Sequence, residues 1–202
     1  LHAFLRAALF WNNFIIAGEP QAALRHAEKL LEQGERSKDH YLLGLAYYFL
    51  NCVPFWVAPT EEDPDKSKEK YKMSARFAEV SISHSLLVCC YDMVTWAYSM
   101  YLIDSYNQLA GLETTLEGKR ALLQRAIEVG RKGSEYSQLS DSPFGTGETF
   151  HCLSKAIFFL SEIETSISEK KRLLEEALEL REKSIRIMDQ VVAPNIWASG
   201  VV

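Results

Sequence analysis

Apolar residues recur along this chain at the spacing of a helix face, in long stretches separated by short polar breaks. Two of these stretches, LETTLEGKRALLQRAIEV (112–129) and IETSISEKKRLLEEALEL (163–180), align without a gap at an offset of 51 residues. Leu122 and Leu123 fall on Leu173 and Leu174, and Ala126 falls on Ala177. Apolar residues at i, i+3, i+4 and i+7 give each stretch one apolar stripe and a charged back, which predicts an amphipathic helix. Self-similarity at a fixed period predicts a stacked array whose units bury their apolar faces against one another.

Looser copies extend the pattern upstream. Ala23-Ala27-Leu30 and Tyr71-Ala75-Ala78 precede Leu122-Ala126-Val129 and Leu173-Ala177-Leu180, and their middle alanines lie 48, 51 and 51 residues apart. A second helix type stands before each. Leu42, Leu45, Ala46 and Phe49 define it, and Thr95, Tyr98, Ser99, Leu102 and Phe150, Leu153, Ser154, Ile157 repeat it. Ala7, Phe10, Trp11 and Phe14 depart from it, since Trp11 is large where a small residue is expected. Small residues on one face let a neighbouring helix approach closely, and bulky ones fill the space around it.

The breaks are legible. GEP (18–20) is a tight turn with Pro20 at a helix start, and QGERSKD (33–39) is a polar loop. PFWVAPTEEDPDKSKEK (54–70), with three prolines and a charge run, reads as a long connection. AGLETTLEG (110–118) and SDSPFGTGET (140–149) complete the set, with Thr146 or Thr149 capping the helix after the second. The units span approximately 1–35, 39–85, 89–136 and 147–190 of one domain. PNIWASGVV (194–202) starts a further unit, in which Pro194 opens a helix. The chain begins and stops in mid-pattern, so the expectation is a piece of a larger protein. An array cut there exposes an apolar end that a second copy would cover as a homodimer.

LLGLAYYFLN (42–51) and AGEPQAALRHAEKLLEQG (17–34) resemble the tetratricopeptide-repeat family, whose signature is W-x2-L-G-x2-Y on one helix and A-x3-F on the next. The likeness covers nearly the whole chain at the level of pattern, with elongated helix pairs. It implies an all-α fold, a right-handed superhelix of about four antiparallel helix pairs. It also implies that the first helix of each pair lines a concave face gripping an extended peptide or a partner helix. Projection from the small residue of each first helix puts Asn12, then His40, Tyr47 and Asn51, then Trp96, Met100 and Asp104, then His151 and Lys155 on that face. Trp, Tyr and Met are residues that interfaces concentrate. The lining lacks the Lys and Arg cluster that would hold an acidic C-terminal tail.

Composition narrows the picture. Hydrophobic residues make up 48% of 202, which excludes a wholly disordered chain. A dispersed net charge of −5 offers no basic face for nucleic acid. No unbroken apolar run reaches the ~18 residues of a membrane span. Cys52, Cys89, Cys90 and Cys152 form no CxxC pair, and Cys89 and Cys90 would point to different sides of a helix. They read as reduced, buried thiols of a cytoplasmic protein. No nucleophile elbow, phosphate loop, dinucleotide fingerprint or HExxH helix is present. The expectation is therefore no enzyme, no metal and no cofactor, and a protein or peptide partner. The alternative is a receptor for a small molecule or peptide in a pocket enclosed by the superhelix.

Overall fold

The computed structural model describes residues 2–189; the further unit expected from Pro194, with Trp197 and Gly200, lies outside the described residues. Eight helices follow one another, and the described residues include no strand. They are α1 (2–16), α2 (Pro20–Ser37), α3 (His40–Val57), α4 (Pro64–Leu87), α5 (91–112), α6 (Leu116–Ser137), α7 (Pro143–Glu162) and α8 (Ile167–Asp189). A wider π turn closes α1 at Asn12–Ile16, and another sits within α5 at Ala97–Ile103. The chain is all-α, and most of its buried apolar residues, from Phe10 to Ala177, form one continuous cluster.

Local chemistry sets the helix starts. Pro20, Pro64 and Pro143 stand in first turns, where a missing N–H costs nothing. Side chains of Asp39, Asp63, Thr115 and Ser142 accept from the backbone N–H groups left over at those ends. The 51-residue repeat is visible here too. Helices α6 and α8 begin at Leu116 and Ile167, and the turn before each is built alike. Glu113 Oε1 accepts from the N–H of Thr114 (2.9 Å) and Thr115 (3.1 Å). Glu164 Oε1 accepts from Thr165 (2.8 Å) and Ser166 (3.1 Å). The Ser166 N–H, then the Arg120 guanidinium 2.9 Å away, then the Thr165 N–H hold the Glu164 carboxyl down to about 2.

Several connections are shorter than the sequence implies. Helix α3 continues through Pro54 to Val57, a 3-10 turn covers Ala58–Thr60, and α4 starts at Pro64. Pro54 removes one backbone donor, but its ring is packed in the core and the helix runs on. Part of the charge run lies on α4, where Lys70 pairs with Glu61 at 3.1 Å. Likewise α2 runs to Ser37, ending at Lys38 in the left-handed region (φ 55°). Helix α7 starts under a Ser142 cap rather than at Thr146 or Thr149. Its Gly147 serves close packing, since a Cβ there would meet Met188 Cγ of α8 at 2.6 Å.

Helix α3 and the turn after it (His40–Thr60, mean hydropathy 1.4) are long and apolar enough to cross a membrane by composition, yet 56% of the stretch is buried inside the fold. It is the core helix. Its Gly44 lies so close to α4 that a Cβ would come 2.6 Å from Ser85 Oγ, and Ser81 Oγ donates to the Gly44 carbonyl at 2.8 Å. That contact fixes the rotation of α3 about its axis.

The cysteines divide. Burial pushes the Cys52 thiol up to about 12 and Cys152 well above its ordinary value. Cys89 is exposed, and with Cys90 it occupies the turn between α4 and α5 (Cys89 φ 53°) rather than a helix.

Candidate functional site: an uncharged aromatic groove

A groove of about 970 Å³ crosses α1, α3 and α5. Phe4, Ala8, Trp11 and Ile15 come from α1, Tyr41, Leu45, Tyr48 and Trp56 from α3, and Met93, Trp96 and Met100 from α5. Phe49 and Tyr101 form its floor. No lining residue carries a formal charge at neutral pH.

Ring packing holds the floor rigid. Phe10 stacks on Phe49 at 4.4 Å between centroids, and Trp11 meets Phe49 edge-on at 5.8 Å. Tyr101 receives the edges of Tyr48 (5.5 Å) and Phe55 (5.4 Å). Trp96 stacks on Phe144 of α7 at 5.1 Å. Burial raises the phenols of Tyr48 and Tyr101 above their ordinary value, so both hydroxyls stay protonated. The Cys52 thiol already donates to Tyr101 Oη at 3.1 Å. The rim is open, with Phe4 80% and Trp56 50% exposed.

The projected residues divide among five places. Trp96 and Met100 line the groove, while Asn12 is exposed in the π turn of α1 and is not among its lining residues. Residues His40, Tyr47 and Asn51 share the Gly44 side of α3, which the close contact turns toward α4. Asn51 is fully buried, and neither its Oδ1 nor its Nδ2 has a partner. Tyr47 packs on Phe77 and His84 of α4, each at 6.0 Å. These three therefore lie off the groove. Asp104 pairs with Lys155 at 2.7 Å, tying α5 to α7. His151 and Lys155 border a separate depression of about 500 Å³ between α7 and α8. Asp104 and Glu148 are not among its lining residues. Burial, then the neighbouring Asp104, raises the Glu148 carboxyl, against the pull of Arg181 and Lys155.

The projection missed Tyr41, Tyr48 and Trp56. The first two, with Leu45, form an apolar stripe at i, i+4 and i+7 that the sequence carries as plainly as the stripe chosen. Trp56 lay hidden in the supposed loop.

His40 and His84 stack at 5.1 Å, with their Nδ1 atoms 2.9 Å apart, so one ring donates and the other accepts. Burial and then His40 lower His84, and burial and then Arg6, Lys29 and Arg25 lower His26. In the unfolded chain both take up a proton near about pH 6.5. Above that, folded and unfolded states are alike; as pH falls below it the unfolded state binds more protons, so stability drops. The melting temperature should be lower at pH 5.5 than at 7.5, and His84→Gln should flatten that difference. An unchanged difference in His84→Gln and His26→Gln would assign it to other groups.

Among the described residues no group of three or more His, Cys, Asp or Glu is placed to hold a metal ion. No family model matches this chain, and no curated protein matches it. Among solved structures it is similar to a de novo designed helical repeat protein, at 16% identity and a TM-score of 0.44, over 93% of this chain and 96% of that one.

Proposed function

We propose that this chain is a non-catalytic interaction module, and that the groove across α1, α3 and α5 holds an apolar extended peptide or one face of a partner helix. In this reading the eight helices are four antiparallel pairs of a tetratricopeptide-like right-handed superhelix, with α1, α3, α5 and α7 as the inner helices. The observation that carries the proposal is the lining. It is an open surface of aromatics and Met with no formal charge, the composition that binding hot spots favour. A helix in such a groove would be read through anchors at i, i+3 or i+4, and i+7. The four free cysteines suit a reducing, cytosolic setting.

Trp11, Trp56 and Trp96 line the groove, so intrinsic fluorescence reports on it. Titration with amphipathic peptides bearing Leu, Phe or Trp anchors should shift and saturate the emission, and the same peptides with the anchors replaced by Ser should not. Equal responses to both would sink the peptide reading. A receptor for a small apolar molecule is the second reading, favoured by the volume, since ligand pockets run to roughly 300–1,000 Å³. Thermal shift by small apolar compounds without a peptide response would select it.

A further inference from the structure

One face of the α7–α8 pair is apolar and open, and the same face one repeat earlier is covered. Leu174 is 38% exposed and Leu178 60%, whereas Leu123 and Ile127, 51 positions before them, are 2% and 8% exposed. Phe158 of α7 is exposed as well, while its counterpart Asn107 is buried and donates to the Cys152 carbonyl of α7 at 3.1 Å. In the earlier repeat a helix does the covering. There α7 lays Leu153 so close to Gly130 that a Cβ would come within 2.8 Å of Leu153 Cδ1. In the later one, Phe158, Leu174 and Leu178 are left around the depression of about 500 Å³ between α7 and α8. Exposed Ile185 continues their stripe along α8.

The charges of the two faces differ. Gly130 has Arg181 as its counterpart, and Asp104 has Lys155. With His151, these two cations line the depression, and none of its lining residues is acidic. Lys155 is held by Asp104 at 2.7 Å. Arg181 is exposed; it acts on the Glu148 carboxyl but forms no ion pair among the described residues. Neighbouring acids of α8 are engaged, Glu175 with Lys171 and Glu182 with Arg186, each at 3.7 Å. A helix bearing Leu where α7 bears Leu153 would set an apolar side chain on a guanidinium. A second copy of this face would bring Arg181, Lys155 and His151 up against their own kind, and like charges at an interface cost affinity. An acid at that place instead pairs with Arg181 while its apolar neighbours cover Leu174 and Leu178. We propose that this face docks a helix of a partner protein, with apolar anchors at i, i+3 or i+4, and i+7 and an acidic side chain set against Arg181. It is a second surface, independent of what the groove across α1, α3 and α5 holds.

Charge reversal tests it. The probes are two rhodamine-labelled helical peptides with the same Leu anchors, one with Glu and one with Lys beside them. Fluorescence anisotropy with the full chain should show saturable binding of the Glu peptide that weakens as salt rises. Arg181→Glu should weaken the Glu peptide about tenfold, the worth of one charge-assisted contact, and should strengthen the Lys peptide. Leu178→Ser should weaken both. Both side chains are exposed, so the melting temperature should stay that of the unsubstituted protein. Should Arg181→Glu disturb the fold, Arg181→Gln takes its place and should weaken the Glu peptide alone. No saturable binding of the Glu peptide, or binding unmoved by the substitutions at 178 and 181, would overturn the proposal. So would a dimer that Leu178→Ser dissolves while no peptide binds, which puts a second copy on this face. Tryptophan emission follows the groove separately, because Trp11, Trp56 and Trp96 line the groove and no Trp lines this depression. Either response can fail while the other holds.

Discussion

Phe49→Ala should lower the stability of the fold by about 3–5 kcal/mol, the cost of emptying a large aromatic from a packed core. Phe49 is almost wholly buried and is the bridge between α1 and α3. Its ring stacks on Phe10 of α1, which is fully buried, and takes the edge of Trp11. A neighbouring side chain is poorly placed to refill the hole, because Phe10 and Trp11 are themselves rigid rings. Urea unfolding should show the midpoint falling. Amide exchange should show α1 losing protection before α3, since α3 keeps its Gly44 contact with α4. The groove loses its floor in the same step, so peptide response should vanish in Phe49→Ala even where the protein is still folded. A cost below about 1 kcal/mol would mean that α1 is held to the array by other contacts.

Trp56→Ala should do the opposite, sparing the fold and weakening binding. The side chain is half exposed on the groove rim, so little packing is lost in the free protein. An aromatic anchor of this kind is worth roughly 2 kcal/mol or more in a complex, which is about a 30-fold loss of affinity. Trp96→Ala should act similarly on binding, with some cost to stability because its ring also stacks on Phe144. Tyr47→Ala is the matched control. Tyr47 packs between α3 and α4 away from the groove, so its loss should leave the peptide affinity unchanged. Equal losses in Tyr47→Ala and Trp56→Ala would place the binding surface elsewhere.

The helical periodicity and the repeat were legible without coordinates because both are written in local spacing. Leu116 and Ile167 open equivalent helices after equivalent Glu-Thr turns, and the 51-residue offset between them reads directly from the residues. The rotation of α3 was not legible. That helix is apolar on nearly every side, so hydrophobic phase alone cannot choose the face that meets α4. Gly44 and Ala46 are both small and lie about 200° apart around the axis. Taking Ala46 as the reference put His40, Tyr47 and Asn51 on the inner face; the close approach at Gly44 turns them to α4 instead. The prolines misled for a related reason. Pro54 reads as a breaker in sequence, but a ring packed in the core lets the helix pass through it.

By itself the sequence determined the all-α class, the helix starts at Pro20 and His40, and the 51-residue repeat of the later helices, since these follow from backbone caps and side-chain spacing within a few residues. The tertiary structure decided which apolar stripes became core and which became groove. Several stripes were chemically equivalent, and only the close approaches at Gly44, Gly130 and Gly147, together with the stacking of Phe10 on Phe49, select among them. Those contacts join residues far apart in the chain, so their outcome depends on packing that no local pattern encodes.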